Sequence, residues 1–243
     1  MIRKILVTNE GKEFYIKDPS QDYHCQFGML KSKDLKKKDG SIIKTNTGKE
    51  LTLFSSSFID DYKRIKRAPQ IITRKDIGII IAETGINKNS KGVDAGAGSG
   101  ALALFLANIC KEVTTYEIRE DFLKIVEKNK EFLNLKNLKI KNKDIYQGID
   151  EKNIDLVTLD LPEPWLAIEP AKKALKTGGF LVSYSPTIPQ AMDFVNAVKK
   201  DSNLIHLKTI ELIQREWEIE ERKVRPITTQ TVHTGFITFV RKL

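Results

Sequence analysis

Two different periods of apolar and polar positions divide this sequence. Over residues 1–60 the apolar positions come in short β-prone pieces. Ile2–Thr8 and Glu13–Ile16 flank Asn9-Glu10-Gly11-Lys12, and Ile42–Thr45 and Leu51–Phe54 flank Asn46-Thr47-Gly48-Lys49. A polar, glycine-bearing turn between two such runs is a hairpin signature. A small all-β module, a partial barrel, is therefore expected over residues 1–62. The lysine-rich run Lys31–Lys38 could touch phosphate, but reads more readily as a solvated loop. A connector follows, with Lys63, Arg64, Lys66 and Arg67 close together, and Pro69 restricts Ala68 to extended backbone. Thr73 and Asp76 mark a helix start, and Ile77, Ile80 and Ile81 recur at helical spacing up to Gly85.

From residue 91 onward, strand-like and helix-like stretches alternate. Strands are predicted at Gly92–Ala95, Val113–Ile118, Leu138–Lys143, Ile154–Leu161 and Phe180–Tyr184. Helices are predicted at 101–110, Glu120–Leu133, Ile168–Leu175 (stopped by Gly178-Gly179) and from Pro186 and Pro189 to Lys200. Leu207–Glu218 and Thr234–Arg241 follow as two long β segments with no helix between them, which predicts antiparallel pairing. The expected fold is α/β: a Rossmann-like sheet of seven strands over residues 63–243, its last pair antiparallel, behind the small N-terminal β module.

Charge adds a candidate partner. With 41 Lys+Arg against 32 Asp+Glu, the net charge of +9 suits a polyanion, nucleic acid first. A Lys-, Glu- and Ile-rich composition is also common in proteins of heat-loving organisms, so charge alone leaves this open. No apolar run reaches the roughly 18 residues of a membrane span. The start, Met1–Thr8, is too short and too quickly polar for a signal peptide. The two cysteines, Cys25 and Cys110, stand far apart, without metal-ligand spacing. A cytoplasmic protein with no metal and no membrane partner is expected.

Val93-Asp94-Ala95-Gly96-Ala97-Gly98-Ser99-Gly100 joins the first of these strands to an apolar helix beginning at Ala101. Its glycines permit a sharp turn and close ligand approach, and a helix start favours polar or anionic groups. Gly96, Gly98 and Gly100 fit the nucleotide loop of S-adenosylmethionine (SAM) methyltransferases. Gly96, Gly98 and Ala101 equally satisfy the dinucleotide fingerprint of dehydrogenases. Ligands of such sheets sit beyond the carboxyl ends of the strands, and acidic residues recur there: Asp94, Glu117, Asp144 and Asp160. Glu117 falls 21 positions after Gly96, where a ribose-binding carboxylate belongs. Asp144 is placed to accept from an adenine amino group. A nicotinamide cofactor would use Glu117 too, but gives no reason for Asp144.

Asp160-Leu161-Pro162-Glu163-Pro164-Trp165 holds an extended loop with a flat indole that could stack on a base or pack beneath the loop. It resembles the Asp/Asn-Pro-Pro-aromatic loop of amino-group methyltransferases. More specifically, the chain resembles the tRNA (adenine-N1)-methyltransferase family that modifies T-loop adenines. The residues that carry the likeness are Pro69-Gln70-Ile71-Ile72 with Asp76, Val93–Ala101, Tyr116–Phe122, Asp160–Trp165 and Arg225–Phe239. It covers residues 60–243 well and the N-terminal module more loosely, with the archaeal branch nearest. The resemblance implies methylation of adenines 57 and 58 of tRNA and a homotetramer. It also implies cofactor contacts from Gln70, Ser99, Ala101 and Phe122 beside the glycines, Glu117, Asp144 and Asp160. Asp160 is expected to be catalytic. Thr73, Trp165, Arg225 and His233 are expected on the substrate side, and His233 also has a purely structural reading. Relatives carry Tyr or His where this chain has Thr73. Trp217 reads as core or interface. Two alternatives remain at this point: an NAD-dependent dehydrogenase, and a non-catalytic RNA-binding subunit.

Overall fold

The computed structural model describes residues 1–68 and 70–243, so the expectation at Pro69 lies outside the described residues. The chain divides into two compact units, Met1–Ile65 with Phe132–Asn134, and Lys66–Glu131 with Leu135–Leu243.

In the first unit, β1 (Lys4–Val7) pairs with β2 (Glu13–Ile16) across the Asn9–Lys12 turn. Next come β3 (Tyr23–Cys25), β4 (Gly28–Leu30), α1 (Ser32–Leu35), β5 (Ile42–Lys44), β6 (Glu50–Ser55) and α2 (Phe58–Tyr62). The main sheet has the order β2-β1-β6-β5, and β3-β4 is a separate hairpin. Inward-facing Leu6, Ile16, Ile43, Leu51 and Leu53 form its core with Leu30 and Leu35. Two expectations change here. The lysine run is no plain loop, because Leu35 is fully buried and folds Ser32–Leu35 into a helical turn. The β3-β4 hairpin has no counterpart in the sequence pattern, since strands of three residues carry too little alternation to register.

The second unit opens with α3 (Arg74–Thr84), closed by Gly85 in the left-handed conformation. Then follow β7 (Lys91–Ala95), α4 (Ala101–Ile109), β8 (Glu112–Glu117), α5 (Glu120–Leu133), β9 (Leu138–Asn142), β10 (Ile154–Leu159), α6 (Ile168–Ala174), β11 (Leu175–Ser185) and α7 (Ile188–Val198). The last elements are β12 (Leu204–Glu211), β13 (Trp217–Glu220), β14 (Lys223–Pro226) and β15 (Phe236–Lys242). Seven strands run in the order β12-β15-β11-β10-β7-β8-β9. The five from β11 to β9 are mutually parallel, and β15 pairs antiparallel with both β11 and β12. Val93, Leu156, Val157, Leu181 and Phe194 are fully buried. Covered faces explain why these strands read as continuous apolar runs rather than alternating ones.

The end of the chain departs from expectation. The helix predicted over Ile168–Leu175 ends at Ala174, one residue short, but the glycines expected to stop it, Gly178 and Gly179, lie within β11. A Cβ on residue 179 would stand 2.9 Å from the Ile154 carbonyl oxygen, so glycine lets β11 close on β10 at its bulge. The segment predicted as Leu207–Glu218 is β12, Leu204–Glu211, and residues 212–216 leave the sheet. Trp217–Glu220 instead fold back on Lys223–Pro226 as a separate hairpin. Trp217 is half exposed within the chain, so it is not core.

Candidate functional site at the carboxyl ends of the parallel strands

The glycine turn is built by its neighbours. The Gly96 and Ala97 N–H groups donate to the Tyr116 carbonyl at 3.1 and 3.3 Å, and Gly98 N–H donates to Glu117 Oε2 at 3.0 Å. Asn129 on α5 pins the same turn to the entering chain. Its amide donates to Ser99 O at 2.8 Å and Lys66 O at 2.9 Å, and its oxygen accepts from Lys66 N–H at 2.8 Å. The three glycines have different reasons. At Gly96, φ +85°, a Cβ would lie 2.0 Å from the Asp160 carbonyl oxygen. At Gly100 a Cβ would meet Val126 at 3.0 Å and Leu104 at 3.2 Å. Only Gly98 has open space where its Cβ would stand, the nearest atom being Gly96 O at 4.0 Å. Of the three, Gly98 is thus the one that leaves room for a ligand.

Three carboxylates gather behind this turn. Asp94 is buried and accepts from the Thr115 hydroxyl at 2.8 Å and the Thr158 hydroxyl at 2.7 Å, one from each flanking strand. Burial nevertheless raises its pKa to about 6. Glu117 Oε1 accepts from the Ile118 and Arg119 N–H groups at 2.9 and 3.0 Å, in addition to the Gly98 contact on Oε2. Asp160 stands just past β10, its own N–H bonded to Ala95 O at 2.9 Å. Its carboxylate has no hydrogen bond among the described residues. Burial first, then the charges of Asp94 and Glu117, raise its pKa to about 7. Asp144 caps the turn after β9, accepting from Tyr146 N–H at 2.9 Å. Gly96, Glu117, Ile118, Asp144, Tyr146 and Leu161 line a cleft of about 190 Å³.

Other predicted residues are dispersed. Gln70 is exposed ahead of α3. The Thr73 hydroxyl donates to Asp76 at 2.8 Å. Ser99 is buried, and its hydroxyl has no hydrogen bond among the described residues. Ala101 is buried as the first residue of α4. Phe122 is half-buried, with the Arg119 guanidinium 3.9 Å from its ring centroid. Trp165 is half-buried and packs against the hydrophobic core. Arg225 lies exposed on β14, bonded to Glu218 at 2.7 Å. His233 meets Glu211 through Nδ1 at 2.6 Å and the Pro186 carbonyl through Nε2 at 2.9 Å. Both partners are acceptors, which favours the doubly protonated ring and raises its pKa.

Lys75, Tyr184 and Thr234 have no assigned role in the sequence reading, and Asp76 figures there as a helix-start marker and in the family resemblance without a role in the site. Tyr184 at the end of β11 is level with Asp160, since Leu159 pairs with Ser183. Its hydroxyl donates to Thr234 O at 2.5 Å, and its pKa is pushed well up by burial and by the charges of Asp76 and Asp160. A tyrosine ending an apolar strand is the signal the sequence offers.

A glycine turn, carboxylates at successive strand ends and a sheet closed by an antiparallel pair define a Rossmann-like SAM-dependent methyltransferase fold. Similar solved structures bear this out. A SAM-dependent O-methyltransferase from Thermotoga maritima is 29% identical, covering 100% of this chain and 93% of that one, with a TM-score of 0.84. The tRNA (m1A58) methyltransferase TrmI from Aquifex aeolicus is 28% identical, covering 99% and 96%, with a TM-score of 0.79. A family model described as tRNA methyltransferase complex GCD14 subunit matches residues 64–234. The tRNA (adenine(57)-N(1)/adenine(58)-N(1))-methyltransferase TrmI of Methanocaldococcus jannaschii is 35% identical over 98% of this chain and 94% of its own length. A tRNA (adenine(58)-N(1))-methyltransferase TrmI of Thermus thermophilus is 31% identical over 84% and 81%. The chain belongs to this tRNA methyltransferase family.

Proposed function

We propose that this chain transfers a methyl group from SAM to N1 of adenine in the T-loop of tRNA, at positions 58 and 57. The observation that carries the reading is Asp160: a carboxylate without a hydrogen-bond partner among the described residues, directly beside the glycine turn, in a family of tRNA methyltransferases. The dehydrogenase alternative falls with the family assignment. A non-catalytic subunit has no support in a chain that keeps both the turn and Asp160.

The cleft, the glycine turn and the carboxylates behind it suit SAM on their own features. Gly98 leaves open the space its Cβ would fill, and Asp94, Glu117 and Asp160 concentrate negative charge where a cationic ligand is favoured. Glu117 and Asp144 would hold the ribose and adenine ends, and Asp160 the charged end. When bound, SAM supplies an electrophilic methyl on a sulfonium. The chain's task is then positioning, because adenine N1 has an in-plane lone pair at neutral pH and needs no base. Asp160 is assigned to the N6 amino group, where its charge stabilises the cation that develops on the base. N1 lies on the Watson–Crick edge, so the base must leave its stack to enter the cleft. The lysine-rich first unit and the net charge of +9 are assigned to phosphate contacts. No helix among the described residues is long and apolar enough to cross a membrane, and no metal-ligand cluster occurs among them. A cytoplasmic site of action is in keeping with a tRNA substrate. Exposed Ile213, Trp217, Ile219 and Val224 favour assembly, and a homotetramer is proposed, measurable by light scattering.

The test is to incubate an unmodified tRNA transcript with the protein and SAM, then map reverse-transcriptase stops. Stops at 57 and 58 are expected, and their absence at both positions overturns the proposal. Glu117→Gln removes one of the oxygens that hold the turn and the ribose. It is expected to weaken SAM binding by about tenfold, as measured by calorimetry.

A further inference from the structure

We infer that Lys75 is a positioning residue for the methyl-acceptor side of the site, an inference that rests on the methyl-transfer reading above. Residues 212–233 leave the large sheet after β12, carry the β13-β14 hairpin, and return at Thr234 just before β15. Lys75 stands at the neck of this excursion. Its ammonium donates to Leu212 O at 2.6 Å, where the excursion begins, and to Thr234 Oγ1 at 2.6 Å, where it ends. The third donor goes to Asp76 Oδ1 at 2.8 Å. An ammonium has three donors, and all three are used. The Lys75 side chain is 9% exposed and that of Asp76 0%. Asp76 Oδ2 accepts from the hydroxyls of Thr73 and Thr234, both at 2.8 Å. The buried pair therefore balances its charge and satisfies its hydrogen bonds, the conditions under which a desolvated ion pair is tolerated.

The clasp reaches the site through Tyr184. Thr234 O accepts the Tyr184 hydroxyl at 2.5 Å, and a Cβ on residue 235 would stand 2.5 Å from the Tyr184 ring. The ring thus lies directly on Gly235, and its placement follows the backbone at 234–235. That backbone is held by Lys75 and Asp76. Tyr184, next to last in β11, stands level with Asp160 just past the neighbouring strand β10. Lys75 needs no contact with donor or acceptor: it acts through Thr234 and then Tyr184. Methyl transfer that depends on alignment is sensitive to shifts of about 1 Å in a residue level with Asp160.

The clasp separates from an ordinary structural staple by what its loss changes. The full chain is compared with Lys75→Met and Thr234→Val in three measurements. These are kcat on saturating tRNA, SAM affinity by calorimetry, and hydrogen exchange of residues 205–212 and 234–240. Lys75→Met strands Asp76 without a counter-ion. If it fails to fold, Thr234→Val, which keeps both charges, carries the test. The expected result is a folded variant whose kcat falls by about tenfold or more, with SAM affinity held within about twofold and faster exchange at the neck. A folded Thr234→Val with wild-type kcat overturns the inference, and so does kcat falling in step with SAM affinity. Should the wild-type chain methylate no tRNA, the methyl-transfer reading fails. Unchanged exchange at the neck in both variants overturns the clasp independently of that.

Discussion

Asp160→Ala is expected to lose about 10²–10³-fold in kcat at saturating SAM while the chain stays folded, with SAM bound more weakly through the lost contact to its charged end, when methyl transfer to a tRNA transcript and calorimetry are run side by side. The size follows from the position. The carboxylate has no hydrogen bond among the described residues and is pressed by Asp94 and Glu117, so its removal relieves repulsion rather than breaking a contact. Stability should therefore rise. The sign follows from proton counts. The folded-state pKa of about 7 lies above the unfolded value near 3.8, so between these limits the folded chain holds more protons than the unfolded one. The Asp160 contribution thus makes stability fall as pH climbs from about 4 to about 7, and Asp160→Asn removes that loss. A Tm a few degrees above wild type at pH 8 is expected, each pKa unit being worth about 1.4 kcal/mol. Activity runs the other way. Protonating Asp160 cancels the charge that meets the cation, so kcat/KM declines as pH drops through about 7. Asp160→Asn should flatten that limb, and a limb unchanged in Asp160→Asn would remove Asp160 from its assigned role.

Gly96→Ala is expected to destabilise the turn, whereas Gly98→Ala is expected to leave the fold and fill the open space at the turn. The first puts a methyl 2.0 Å from a backbone carbonyl of the adjoining Asp160 turn and keeps φ at +85°. Backbone cannot swing aside as a side chain can, so a loss on the order of 3 kcal/mol or more is expected in chemical denaturation. The second meets nothing closer than 4.0 Å, and its φ of +53° lies in the left-handed region that a non-glycine residue enters at about 1 kcal/mol. Its added methyl occupies the space assigned to the ligand. Gly98→Ala should therefore denature close to wild type yet bind SAM markedly more weakly. Equal stability losses in the two variants would contradict this division of roles.

Much of the proposed cofactor side is legible in the order of residues alone. The spacing of Gly96, Glu117, Asp144 and Asp160 can be read because each parallel strand ends at the same edge of the sheet. One carboxylate per strand end is therefore a one-dimensional pattern. Strand starts and stops are less secure. Gly178-Gly179 has the look of a helix stop, but Gly179 serves a close approach of β11 to the Ile154 carbonyl. Alternation beyond Glu211 has the look of one long strand, yet residues 212–216 leave the sheet and Trp217–Glu220 fold back on Lys223–Pro226. An alternating pattern is the same for a strand within a large sheet and for one in a projecting hairpin.

The sequence by itself determined the two-period division, the β/α alternation with its antiparallel finish, and the strand-end carboxylates, because burial of one face or both leaves a local imprint on residue type. Only the tertiary structure decided which glycine has open space where a Cβ would stand and which faces the chain's own backbone. It alone joined Lys75 and Asp76 to Thr234, more than 150 positions away, and set Tyr184 level with Asp160. The reason lies in the strand order β12-β15-β11-β10-β7-β8-β9. It inserts the last segment of the chain between β12 and β11, and the hydrogen bonds made there leave no period in the sequence to read.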